Sequence, residues 1–247
     1  MKRRTLCCAL AAYCSLMIES AQAQLVDRGG GLLYDTVLNV TWLQDANYAK
    51  TSGYSTTGRL SWQDAMQWAD SLQVGGFNDW RLASITDTGS PGCNFAYGGT
   101  DCGHNTQPTT SELSYMFYIN LGLKSIYDSQ GNFQADFGIA NGDLAILQAD
   151  VGLVKNLHAH NYWSGSPYTP DLDRAWQFNT TFGIQGHNPK TELQYAWAVR
   201  DGDVAAVPIP SAVWLFGSAL LGLGIRNEIS TEKVSARCRV KALSWLR

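Results

Sequence analysis

The sequence predicts an α+β domain: two helices followed by a small twisted antiparallel sheet with long loops. Three observations carry that expectation. Amphipathic periodicity behind a good cap occurs twice, both times before residue 123. From residue 130 onward apolar residues come instead in short alternating runs rich in Trp, Tyr and Phe. Pro167, Pro170, Gly183, Gly186 and Pro189, all turn formers, separate those runs. Helices first and an antiparallel sheet later is an α+β order.

Taken in order, "LLYDTVLNVTWL" (32–43) reads as two short strands around a turn at Asp35 to Asn39. A polar loop containing Gly53 and Gly58 follows. "SWQDAMQWADSLQVGG" is then a helix. Ser61 is its N-cap, Trp62, Ala65, Met66, Ala69 and Leu72 form its inward face, and Gly75 and Gly76 stop it. "FNDWRLASI" reads as an Asn-Asp turn into a short strand. Thr109 to Glu112 fits a T-x-x-E capping box, opening a second helix with Leu113, Met116, Phe117 and Leu121 inward and Gly122 at its end. The clearest late strands are "NYWSGS" (161–166), "RAWQFN" (174–179) and "QYAWAVR" (194–200).

The chain has 247 residues and a net charge of −3, with only 16% charged residues. That leaves no basic footprint for nucleic acid. At the N-terminus Lys2, Arg3 and Arg4 precede an apolar run from Leu6 to Ile18, and Ala21-Gln22-Ala23 is a small-x-small site. Residues 1–23 therefore read as a signal peptide cleaved between Ala23 and Gln24. Export makes a local disulfide between Cys93 and Cys102 the expected state of "CNFAYGGTDC", leaving Cys238 unmatched. Closing so short a loop contributes about 2–3 kcal/mol.

Seven segments together carry a family resemblance: "GLLYDTVLNVTWLQDANYA", "LSWQDAMQWADSL", "GGFNDWRLAS", "SELSYMFY", "YWSGSPY", "AWQFNTTFG" and "YAWAVRDGD". In this order they resemble the bacterial Lcl C-terminal domain family. The resemblance implies a C-type lectin-like fold over residues 24–203 and extracellular binding, with some members of the family associated with polyanionic glycans or adhesion. Calcium-dependent lectins of that fold carry E-P-N or Q-P-D and W-N-D motifs. Here "NDW" (78–80) has another order and "HNPK" (187–190) lacks the carboxylate, so no cofactor is expected.

The residues themselves offer few sites. Asp171 and Asp173 stand two apart in a Pro-containing loop with Tyr168 and Arg174, a set able to meet a glycan or, with further ligands, calcium. Solvated carboxylates are the plain alternative. Trp163 and Trp176 are expected in the core. His158 and His160 would share a strand face, yet no further zinc or copper ligands are placed beside them. No nucleophile elbow, H-E-x-x-H or P-loop is present, so no enzyme is expected. The fold is shared with formylglycine-generating oxidases, but these need reactive cysteines in the late strands, which hold none.

Beyond residue 203 the chain changes character. "VPIPSAVWLFGSALLGLG" resembles the VPLPA variant of the PEP-CTERM sorting signal, with Val207, Pro208, Ile209 and Pro210 as its motif. Ser211 to Ile225 is uncharged and spans about 22 Å as a helix, short of the hydrocarbon core of about 30 Å. Residues 204–226 thus read as a sorting signal with a short, temporary transmembrane helix, and 227–247 as a basic tail, cytoplasmic or aberrant. The resemblance implies a Gram-negative exosortase as processing partner. It also implies passage through the inner membrane and delivery to the cell surface or exopolysaccharide. A structural matrix component without a small-ligand site is the alternative function.

Overall fold

The structure is a computed structural model, and it describes residues 25–87, 95–98 and 100–204. The signal peptide with Ala23 and Gln24, Cys93, and everything from 205 on, including Val207 to Pro210, lie outside the described residues. The described chain is mixed α+β with few helices and predominantly antiparallel sheets.

The first sheet begins at the first described residue. Strand β1 (Leu25–Gly29) turns through Gly30 and Gly31, both at positive φ, into β2 (Leu32–Asp35). The expected turn to β3 (Val40–Leu43) forms because the buried Asp35 carboxylate accepts the amides of Val37 and Leu38, and Asn39 takes φ 54°. After a short helix α1 (Tyr48–Thr51) and strand β4 (Arg59–Leu60) comes α2 (Trp62–Asp70). Ser61 caps α2 by accepting from the Asp64 amide and donates to its carboxylate. Its buried face centres on Ala65, Trp68 and Ala69 with Leu72 beyond, so Trp68 faces inward where the periodicity placed Met66 and Trp62. Those two are only partly buried. The short strand β5 (Arg81–Leu82) follows.

The second helix departs from the capping-box expectation. Thr109 belongs to a tight turn, Pro108–Thr110, and Ser111 is the actual cap, accepting from the Ser114 amide. Helix α3 (Glu112–Tyr115) thus begins at Glu112, whose carboxylate turns away to Arg81 and the Ser84 amide. It runs into a single π turn, Met116–Asn120, burying Leu113, Met116 and Phe117 as expected, and Gly122 ends it at φ 63°.

Strands are not confined to the late chain. A short β6 (Gly103–His104) precedes α3, and a separate hairpin forms from β7 (Gln148–Val151) and β8 (Val154–His158). The late strands are β9 (Asn161–Pro167), β10 (Arg174–Asn179) and β11 (Ile184–Pro189). "QYAWAVR" is divided into β12 (Gln194–Ala196) and β13 (Ala198–Asp201). One sheet runs β1-β2-β3-β13-β5 and the other β4-β12-β9-β10-β11-β6, where only β12 and β9 are parallel. Trp197 is the crossing point between them.

Tryptophan does much of the joining. Trp197 is buried, its ring 4.7 Å from that of Trp42, and its indole N–H donates to Leu43 O at 2.7 Å. Trp163 on β9 donates to Leu60 O on β4, and Trp62 on α2 donates to Ser164 O on β9. In these three the indole edge finds a carbonyl, whereas the buried Nε1 atoms of Trp42, Trp68 and Trp176 have no hydrogen-bond partner among the described residues. Because β13 lies between β3 and β5, the last described strand closes onto the first hairpin. There Arg28 makes a two-pronged contact with Asp203, with Nε to Oδ1 at 2.9 Å.

Candidate ligand-binding site

The Tyr168 to Arg174 segment connects β9 to β10, and local hydrogen bonds define its shape. Tyr168 N donates to Arg174 O, Asp171 N to Tyr168 O, and Arg174 N back to Asp171 O. Asp171 Oδ1 accepts from the Asp173 amide at 3.1 Å, a turn typical of Asp. Its Oδ2 lies 3.2 Å from Arg174 Nε. From β11's end, Lys190 closes the loop: its amide donates to Asp173 O and its ammonium to Leu172 O. The same Lys190 ammonium sits 4.4 Å above the Trp62 ring.

Asp171 is thereby committed on both oxygens, one to an amide and one to a guanidinium, while Asp173 is exposed on its own. The D-x-D pair does not form a joint cradle for calcium. Among the described residues no three His, Cys, Asp or Glu side chains group to hold a metal ion.

Tyr168 has a partner the sequence did not indicate. Its ring lies flat on His187, with centroids 3.9 Å apart and planes 15° apart, and edge-on to Trp176 at 5.2 Å. His187 is opposite Trp176 in the β10–β11 register, so the three rings meet because that register is what it is. Arg174 Nη1 approaches His187 Nδ1 at 3.4 Å. A guanidinium only donates, so Nδ1 accepts and the neutral ring carries its proton on Nε2. Burial, reinforced by the Arg174 charge, holds the His187 pKa below the usual value. Phe95, exposed on the surface, flanks the imidazole at 6.4 Å.

Beneath this stack is a small second core of Ile85, Cys102 and Trp176, against which Tyr168 packs. Cys102 is fully buried and disulfide-bonded. Ser166 ties the base of the loop to Ile85, accepting its amide and donating to its carbonyl. Trp163 and Trp176 are both fully buried, the core positions expected of them.

The His158 and His160 rings do converge, but on Tyr195. His158 stacks on that ring at 4.3 Å and 13°, and His160 meets its edge at 5.5 Å and 74°. Asn47 Nδ2 approaches His158 Nε2 at 3.0 Å. Burial lowers the pKa of both imidazoles, helped at His158 by Lys50 and at His160 by Arg59. This is aromatic packing at the mouth of the second sheet. Asn47, Tyr195 and His187 carried no sequence signal, since each acquires its role from a strand or loop distant in the chain.

No protein-family model, curated protein or solved structure matches the chain.

Proposed function

We propose that this chain is an exported, non-catalytic binding protein that takes a saccharide of the extracellular matrix on the loop joining β9 and β10, two inner strands of its second sheet. The observation that carries the reading is the Tyr168–His187 stack beside the Asp171–Arg174 ion pair. An aromatic ring next to oriented charged hydrogen-bonding groups, all held by a rigid turn, is the chemistry that recognises a sugar. The fold behind it is proposed to be C-type lectin-like. In its support, first and last strands share one sheet, and late strands carrying the loops form the other. The two end motifs, the signal peptide and "VPIP", add the surface address and an exosortase as processing partner.

The oxidase alternative requires a reactive thiolate. A buried, bridged Cys102 speaks for the non-catalytic reading. The structural-matrix alternative has one observation on its side. Leu144, Ile146, Leu147 and Leu153 are exposed in and around the β7–β8 hairpin, where they suit contact with other macromolecules.

A glycan array probed with full-length protein, with and without EDTA, tests the proposal. Binding is expected to survive EDTA and to weaken about tenfold in Tyr168→Ala, the loss of one aromatic contact worth about 1.4 kcal/mol. Absence of binding to every glycan sinks the saccharide reading and leaves the matrix alternative.

A further inference from the structure

A groove of about 440 Å³ shares no residue with the Tyr168–Arg174 loop. Asn105, Tyr118, Lys124, Asp128, Ser129 and Gln134 supply its polar and aromatic walls. The volume falls within the range of small-molecule sites.

Its walls are built, with polar atoms fixed in place. Asn105 follows β6 at φ 49°. Its backbone amide donates to the Tyr118 hydroxyl, and its side-chain amide donates to Tyr97 O at 2.7 Å and Tyr127 O at 2.9 Å. Gln134 Nε2 donates to Ser125 O at 2.9 Å. Asp128 gathers the Gln130 and Asn132 amides together with Asn132 Nδ2. Asn105 has both side-chain N–H groups on carbonyls and Gln134 one of its two, and each keeps a side-chain oxygen that accepts nothing from the described residues. Ser129 accepts from Gln130 Nε2, which leaves its hydroxyl proton to give.

Aromatic surface adjoins these groups. Tyr97 and Phe133 are 47% and 62% exposed, and both pack edge-on against Tyr127. Rigid acceptors, a few donors and partly exposed aromatic rings nearby fit a ligand that is rich in hydroxyls and has an apolar C–H face. Charge narrows the class. Lys124 and Asp128 are the charged lining residues and cancel, and Lys124 is further paired with Asp136 at 2.5 Å, so the groove offers no excess positive charge to hold uronates or sulfated sugars.

We infer that this groove binds a neutral saccharide unit. The assignment rests on the saccharide-binding reading above but uses different residues, so the two fail separately.

The test is calorimetric titration of the full-length protein with cellotetraose and maltotetraose as neutral probes and trigalacturonate as the acidic one. Ser129→Trp fills the groove and Gln134→Leu removes an acceptor. Phe133→Ser removes a 62% exposed ring that packs edge-on against Tyr127 and Phe137, and circular dichroism verifies folding of each variant. At least one neutral probe is expected to bind about tenfold more tightly than trigalacturonate. Each folded groove variant weakens it about tenfold, and Leu193→Ala, an exposed position outside both sites, leaves it unchanged. The inference is overturned if neither neutral probe binds, if trigalacturonate binds equally well, or if the folded groove variants bind like the parent. Loss of neutral-probe binding in Tyr168→Ala alone overturns it too, while upholding the loop as the saccharide site.

Discussion

Arg81 on β5 meets Glu112 at the start of α3 through both carboxylate oxygens, each at 2.8 Å, across 31 positions of sequence. The same guanidinium reaches Asp201 on β13 and the Leu82 carbonyl, and Glu112 also accepts the Ser84 amide. Three elements converge on one planar cation. Its pKa is pushed up, first by the Glu112 hydrogen bonds.

Glu112→Gln is expected to lower stability by about 2 kcal/mol, because one fork of the pair and its charge assistance are lost in a half-buried setting. Arg81→Lys does not rescue, since a lysine lacks the planar fork. Urea denaturation of both variants checks this, and parent-like midpoints would show the pair to be idle.

Trp197 occupies the crossing between the sheets, so its loss is expected to be felt in both. Trp197→Ala should cost about 3–5 kcal/mol by opening a cavity against Trp42. Trp197→Phe should cost about 1–3 kcal/mol, since Leu43 O loses its buried donor. Thermal melts followed by near-ultraviolet circular dichroism separate the two.

Acidification is expected to destabilise the fold before any carboxylate titrates. All four histidines, His104, His158, His160 and His187, have their pKa lowered, in each case chiefly by burial. The unfolded chain therefore binds protons more readily than the folded one. Their contribution is complete above the unfolded value of about 6.5 and is lost as pH falls towards the depressed folded values. Asp79, Asp128, Asp136 and Asp150 are held low by hydrogen-bond donors, so their contribution is present above the usual carboxylate range and is lost only as pH falls through and below it. A urea midpoint that falls between about pH 7 and about pH 5 bears this out, and a level one refutes it.

Non-reducing peptide mapping is expected to recover one fragment joining Cys93 to Cys102. Reduction should lower stability by about 2–3 kcal/mol and loosen the small core of Ile85 and Trp176 beneath Tyr168. Recovery of Cys93 as a free thiol would assign Cys102 another partner.

Much of the secondary structure was legible in the sequence because its causes are local. Ser61 reaches an amide three residues on, Asp35 closes its own turn, and "RAWQFN" forms strand β10, although Ala175 to Phe178 are all buried where alternation had implied one packed face. Capping misled at Thr109 for a reason that is not local: Glu112 finds a stronger partner in Arg81 than in a helix-end amide. The candidate loop was legible as a loop, and its acidic pair as acidic. That Asp171 is spent on Arg174, and that Tyr168 rests on His187, was not.

The sequence by itself determined the β2–β3 hairpin, helix α2, the late strands, the core positions of Trp163 and Trp176, the Tyr168 to Arg174 turn and the motifs at both ends. Tertiary structure alone decided that "QYAWAVR" changes sheets at Trp197, that the two histidines of "HAH" pack on Tyr195, and that His187 stands opposite Trp176. The division has one physical cause. Caps, turns and alternation are set by neighbours a few residues away, whereas strand register and ring contacts are set by which distant surfaces bury each other best.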